Sequence, residues 1–332
     1  MSTLYVTLQG SRLEKEYKRL LVTKHDEIVM RIPIQRVSEV VLVGRVGVTT
    51  PALYSLLNNG VSFLLVSRTG KLRGRLQPPT DLNLPLRQKQ FQLNDSPDFS
   101  LDLSRQIVHG KIHNQRIYAL RLARQQEQII ESHEKKLYEL IKKTMKASSI
   151  EELMGIEGSA ARTYFSVYRM GFKPFWKFGN RNRRPPRDPI NALLSLGYTF
   201  LGHAIFSALE VVGLDPYLGY FHAEKYGRPA LVLDLIEEFR VPIVDSLIFS
   251  MINREILKPD DFEYPADTKN VILSSKGLGI FLSQFSQKLE TPITVRSISR
   301  SLTYRKIFEL QARNLANTIQ GKTLQYIPFR MR

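Results

Sequence analysis

No cysteine occurs among the 332 residues. Disulfides, thiolate zinc sites and cysteine nucleophiles are therefore excluded, and any bound metal must sit on nitrogen and oxygen ligands. The lack of thiols fits a reducing cytoplasm. No run reaches the roughly 18 apolar residues of a bilayer span, so no span and no membrane partner are expected. The opening Met-Ser-Thr-Leu-Tyr-Val-Thr-Leu lacks the basic region of a signal peptide and reads as a strand. The P-loop, Gly-x-Gly-x-x-Gly and His-Glu-x-x-His patterns are missing, which leaves nucleotide-driven and zincin chemistry without support. Ser274-Ser275-Lys276-Gly277 is too short to cradle a triphosphate. Acids are also scarce: 31 Asp and Glu stand against 48 Lys and Arg, a formal charge of +17.

A surplus of that size is the electrostatic footprint of a polyanion partner, nucleic acid before all others. Hydrophobic residues make up 43% of the chain, enough for a sizeable core and against general disorder. No internal repeat and no low-complexity tract is visible.

Residues 1–80 read as β. Leu4, Val6 and Leu8 alternate with polar neighbours. Leu20–Val22 and Ile28–Ile34 flank a hairpin turn at Lys24-His25-Asp26, and Val40–Val43 and Phe63–Val66 read as buried strands. One helix is signalled between them, with Pro51 at its start and Asn59-Gly60 at its stop. Arg68–Lys71 reads as a further hairpin turn, and Gln77-Pro78-Pro79-Thr80 as a linker. Beyond it the period becomes helical, with helices expected over 99–124, 126–146, 157–170, 189–212, 231–257 (kinked at Pro242), 273–289 and 294–320. The expectation is α+β in two domains: a small β-rich domain, 1–80, and a larger all-α domain, 81–332.

Three segments carry candidate chemistry. In the first, His222 precedes a Gly227-Arg228-Pro229 turn, followed by an apolar run bearing Asp234 and Glu237. Three residues apart on a helix, the two carboxylates share a face. Buried carboxylates require a cation or donors, and with an imidazole they form a hard-to-borderline metal ligand set. Beside a basic surface this suggests phosphodiester chemistry. An Asp234–Arg240 or Glu237–Arg240 ion pair is the structural alternative, and Glu238 is expected to face solvent. The second segment is Gly155-Ile156-Glu157-Gly158, where Glu157 opens a helix and suits its dipole. The third runs from Lys173 to Arg187: six cations (Lys173, Lys177, Arg181, Arg183, Arg184, Arg187), no acid, and interleaved Phe175, Trp176 and Phe178. Cations for phosphates and rings for bases are what a strand-tracking groove needs. The last 42 residues, with eight cations and one acid, Glu309, offer a second phosphate-contacting surface.

These segments, together with Lys111-Ile112-His113-Asn114-Gln115-Arg116, Arg184-Pro185-Pro186-Arg187-Asp188-Pro189-Ile190-Asn191 and Gly213-Leu214-Asp215-Pro216, resemble the CRISPR-associated spacer integrases over nearly the whole chain. The resemblance implies a divalent ion, Mg²⁺ or Mn²⁺, on Glu157, His222 and Glu237, with Asp234 auxiliary. The basic, aromatic-rich third segment supplies the expected DNA contacts: Lys173, Trp176, Lys177, Arg181, Arg183, Arg184 and Arg187. The resemblance also implies homodimers joined through the β-domains, a small ferredoxin-like CRISPR-associated partner, and insertion of short prespacer DNA into a CRISPR array. A stand-alone nuclease for branched DNA and a non-catalytic nucleic-acid scaffold are the competing readings.

Overall fold

The computed structural model describes residues 2–77, 83–182, 185–223, 225–265, 270–295 and 299–332. The expected linker at Pro78–Thr80, and the domain boundary with it, lies outside these residues. The N-terminal lobe contains β1 (Ser2–Val6), β2 (Arg12–Glu16), β3 (Arg19–Lys24), β4 (Glu27–Pro33), β5 (Val37–Val43), β6 (Gly47–Val48), α1 (Thr50–Asn58), β7 (Ser62–Val66) and β8 (Leu72–Leu76). One sheet has the order β1-β5-β7-β8 and the other β4-β3-β2-β6. His25 and Asp26 take left-handed backbone angles at the β3–β4 turn, as tight hairpins require.

Strand β5 explains how this lobe is held. Val40 and Leu42 pack with Leu13, Leu20 and Phe63 in a core of the lobe's own. Val41 and Val43, on the opposite face of the pleat, join the core of the helical lobe. Burial on both faces is why Val40–Val43 reads as an unbroken apolar run. The lobes are also joined by polar contacts: Arg75 pairs with Glu210 at 2.5 Å, and Ser207 Oγ donates to Glu39 at 3.0 Å.

The helical lobe comprises α2 (Leu84–Asn94), α3 (Pro97–Gln125), α4 (Glu131–Thr144), α5 (Ile150–Met170), α6 (Pro189–Val212), α7 (Ala230–Ile236) and α8 (Ser246–Asn253), then β9 (Phe262–Glu263), β10 (Ile272–Leu273), α9 (Ser275–Leu289), β11 (Pro292–Val295), β12 (Arg300–Thr303) and α10 (Tyr304–Ile319). Helix α6 runs through its middle, against α7 and α10. It has the length and hydropathy of a bilayer span, yet it buries residues along its whole length here, from Ile190 to Leu209.

Three helical expectations need correction. The stretch 294–320 begins as the hairpin β11–β12, because Ile293, Thr294 and Val295 are β-branched; α10 starts only at Tyr304, capped by Thr303. The stretch 231–257 is broken. After α7 the chain makes a π-helical turn, Arg240–Asp245, around Pro242, which has no N–H to give to an α-helical ladder. Helix α5 starts at Ile150, where Ser149 Oγ accepts from the Glu152 N–H. Glu157 thus lies two turns inside the helix, and its dipole role lapses.

Candidate active site

The loop before α7 is built around Asp234. This carboxylate is 1% exposed and accepts from the backbone N–H groups of Tyr220 (2.7 Å), Phe221 (3.1 Å) and His222 (2.9 Å). The His222 ring nitrogen Nδ1 lies 2.8 Å from Asp234 Oδ1. A carboxylate that already takes three N–H groups can only accept, so the His222 proton sits on Nδ1 and the lone pair on Nε2. The turn needs Gly219, since a Cβ there would stand 2.7 Å from Ala230 and 3.0 Å from Asp234 Oδ2.

His222 Nε2 faces Glu237 Oε1 at 3.9 Å. Glu237 follows directly on α7 and is 3% exposed. Its Oε2 accepts from Arg240 Nε at 2.9 Å and from Lys111 Nζ at 2.5 Å. The same ammonium donates to Glu157 Oε1. Helices α3, α5 and the end of α7 therefore meet on one cation. Burial alone would raise the Glu237 carboxyl, but the charges around it, those of Arg240 and Lys111 foremost, outweigh it and hold the group well below the usual carboxylate range. Burial works against the Arg240 charge too, and Glu237, together with Tyr198 and Asp245, more than restores it.

Among the described residues no three His, Asp or Glu side chains stand close enough to hold a metal ion as they are. The reason is Lys111, whose ammonium occupies the point on which Glu157 and Glu237 converge. The donor set nonetheless suits a divalent ion: two carboxylates already focused on one positive charge, and an imidazole with its lone pair free. A carboxylate on the far ring nitrogen is the usual support of a ligating histidine.

A cavity of about 450 Å³ opens beside Lys111 and Glu157, with Arg162, Arg181, Arg240, Tyr198 and Asp245 in its wall. Arg240 lies 4.4 Å over the Tyr198 ring. The Tyr198 hydroxyl donates to Asp245 at 2.6 Å and the Tyr164 hydroxyl to its other oxygen at 2.9 Å. Burial pushes the Asp245 carboxyl up to about 6. The π-helical turn places Arg240 and Asp245 on the same wall. Sequence reasoning missed Asp245 and gave Lys111 no role. The available signal was a lone charge in an apolar stretch, as in Val241–Ile252.

The Lys173–Arg187 segment divides. Trp176 and Phe178 are 4% and 6% exposed; Trp176 sits edge-on to Phe262, and Phe178 to Phe165, Tyr168 and Phe172. The expected base-stacking role of Trp176 is therefore corrected: its ring is spent on the core, and of the two only Phe175 beside it is open. Lys173 pairs with Glu255 at 3.3 Å. Arg181 donates to Asn191 Oδ1 and Ser195 Oγ and faces the cavity. Lys177 and Arg187 are exposed. Arg183 and Arg184 lie outside the described residues.

Glu238 is corrected as well. Instead of facing solvent it is 2% exposed and accepts from the Tyr326 hydroxyl at 2.7 Å, from Gln311 and from the Phe329 N–H. Burial pushes its carboxyl up to about 7 from the ordinary 4.5. The native state then holds a proton that the unfolded chain releases. The contribution of this group to stability is full below pH 4.5 and is lost as the pH rises through about 7, by on the order of 3 kcal/mol in all. Urea denaturation at pH 5 and pH 8 should show this loss, and Glu238→Gln should remove that part of it. A variant with an unchanged difference would place the titration elsewhere.

Two glutamates and a tethered imidazole thus stand beside a cationic cavity at the heart of a two-lobed α+β chain. The family model "CRISPR associated protein Cas1" matches residues 4–287. The chain is 35% identical over 334 residues to a CRISPR-associated endonuclease Cas1 of Thermus thermophilus, covering 100% of this chain and 98% of that one. It superposes on a casposase bound to integration product (TM-score 0.87, 22% identity, 98% and 93% covered). It also superposes on a Cas6-RT-Cas1–Cas2 complex (TM-score 0.83, 27% identity), covering 100% of this chain and 36% of that one. This protein belongs to the Cas1 family of CRISPR-associated endonucleases.

Proposed function

We propose that this chain is the integrase of CRISPR adaptation, joining short DNA to a CRISPR array with a divalent ion, Mg²⁺ or Mn²⁺, on Glu157, His222 and Glu237. The observation that carries this is the convergence of Glu157 and Glu237 on one cation beside the His222 lone pair. A 3′-hydroxyl attacks a phosphodiester. One P–O bond forms, one P–O3′ bond breaks, and the hydroxyl proton ends on the leaving oxygen. Bond types balance, so no nucleotide energy source is needed. A bound divalent ion supplies Lewis acidity and a template for the two oxygens. The chain does the rest: Asp234 sets the ring and tautomer of His222, Arg240 keeps Glu237 ionised, and Arg162, Arg181 and Arg240 offset the negative charge that builds at phosphorus.

The partners follow from the same reading: prespacer and repeat DNA, a second copy of the chain, and the small ferredoxin-like CRISPR-associated protein, all in the cytoplasm. The resemblance of this chain to part of a complex whose name includes Cas2 favours the last of these. Dimerisation through residues 1–80 is favoured by β4, an edge strand that exposes Ile28, Val29 and Met30; such an edge calls for cover. Light scattering that finds a monomer at micromolar concentration would remove this part.

Strand transfer into a supercoiled plasmid bearing a CRISPR array, with and without the partner, tests the function. Joining that needs the partner and Mg²⁺ or Mn²⁺ supports it. Cleavage of branched DNA with no joining under any condition would favour the repair-nuclease reading. Replacing Lys177 and Arg187 by Gln should lower the logarithmic salt slope of duplex binding by about 0.9 for each lost phosphate contact. An unchanged slope would make that loop a solvated surface only.

A further inference from the structure

After α10 the chain does not stop at the helix end. Residues Tyr326–Met331 run as an extended strap across the helical lobe. Tyr326 and Pro328 are buried while Ile327 and Arg330 point out, the alternation of a peptide seated in a groove. Its contacts fall on two elements. On α3 it meets the turn that carries Lys111: Asn114 Nδ2 donates to the Phe329 carbonyl at 3.0 Å, Asn114 Oδ1 accepts from the Met331 N–H at 2.7 Å, and the His113 ring meets the Met331 carbonyl at 3.1 Å. After α7 it meets the residues next to Glu237: Tyr326 and the Phe329 N–H donate to the Glu238 carboxylate, and the Phe329 ring stacks on Phe239 at 5.3 Å. Asn114 closes the triangle by donating to the Glu238 carbonyl at 2.8 Å. The groove is open at one point because α3 has Gly110 there; a Cβ would stand 2.6 Å from Pro328.

We infer that the C-terminal strap is a positioning device for the active centre, with Glu238 and Asn114 as positioning residues that hold the Glu237 carboxylate in register with Lys111 and Glu157. This rests on the reading of Glu237 as a metal ligand. The physical reason is that Glu238 is a buried carboxyl group whose side-chain partners among the described residues, apart from Gln311 on α10, all come from the strap. Without the strap it would be left with a single donor, and a buried carboxyl group short of hydrogen-bond partners is costly whether or not it holds its proton. The main chain at 237–239 would then turn to bring Glu238 to water, and Glu237 would turn with it. Groups that orient a metal ligand without touching the metal typically change its affinity by about 10–100-fold.

The test uses the full-length chain and two variants that undo the docking from opposite sides. Gly110→Leu fills the groove with a good helix former, and Glu238→Gln weakens the acceptor. Release of the strap is read as faster tryptic cleavage at Lys322 and Arg330, by mass spectrometry. Metal affinity is read as Mn²⁺ binding by electron paramagnetic resonance, and joining is measured across Mn²⁺ concentrations. Faster cleavage, Mn²⁺ affinity weaker by tenfold or more, and joining restored at saturating Mn²⁺ are expected in both variants, with a cooperative thermal transition retained. A released strap with wild-type Mn²⁺ affinity would reduce it to ordinary packing and overturn the inference. Cleavage that stays slow in both variants would overturn the docking on which it stands. A wild-type chain that binds no Mn²⁺ at all would instead sink the metal reading, a separate result.

Discussion

Glu157→Gln, His222→Ala and Glu237→Gln should each lower strand transfer by a thousandfold or more while the folded protein remains. Loss of a metal ligand removes several kcal/mol of transition-state stabilisation, and each 1.36 kcal/mol is about tenfold in rate. The fold should survive because Glu157 is partly open to solvent, with 22% of its side chain exposed, and because Gln at 237 keeps the volume and one acceptor for Arg240. Asp234→Asn should cost less, about 10–100-fold, since Asp234 acts through the His222 ring. The measurements are single-turnover joining and Mn²⁺ titration of the four variants. Near-native joining in any of the first three would remove that residue from the ligand set. An Asp234 loss equal to that of Glu237 would mean that their roles have been exchanged.

Arg240→Met should destabilise the fold by about 3 kcal/mol. Glu237 is buried and takes its charge compensation from Arg240 and Lys111; stripping one partner from a buried ion pair costs about 3–5 kcal/mol, because the remaining charge stays out of water. Lys111 keeps the loss near the lower figure. Adding Glu237→Gln to Arg240→Met should return part of the stability, since the stranded charge is then gone. Urea denaturation of the two single variants and the double variant gives the coupling. A single variant within about 1 kcal/mol of wild type, or a double variant whose losses simply add, would show that the pair is not coupled as described.

The parts of the fold that were legible in the sequence are those where local chemistry and tertiary packing agree. The Val40–Val43 run of β5, the His25-Asp26 turn, and the Pro51 start and Asn59-Gly60 stop of α1 all carry their own signals. The unreadable parts are those where a distant segment decides. Glu238 follows Glu237 and carries the same chemistry, so nothing local distinguishes an acid aimed at the active centre from one held by a strap 88 residues away. Trp176 sits in a basic loop that looks like a nucleic-acid surface, yet Phe262, from β9, claims its ring. His222 and Asp234 were paired correctly in space because one turn joins them. The link of Glu157 to Glu237 needs α3, and Lys111 offers no sequence signal that it will lie between two carboxylates.

That lysine has a consequence for how the protein is made. Small zinc domains wait for their metal before they can fold, because their ligands repel or strand one another without it. Here the two glutamates arrive with an internal counter-ion, so the chain can leave the ribosome and reach its final shape in a metal-poor environment. On the proposed reading, loading would be an exchange of one cation for another at a finished site, and it would leave the Lys111 ammonium on the wall of the cavity.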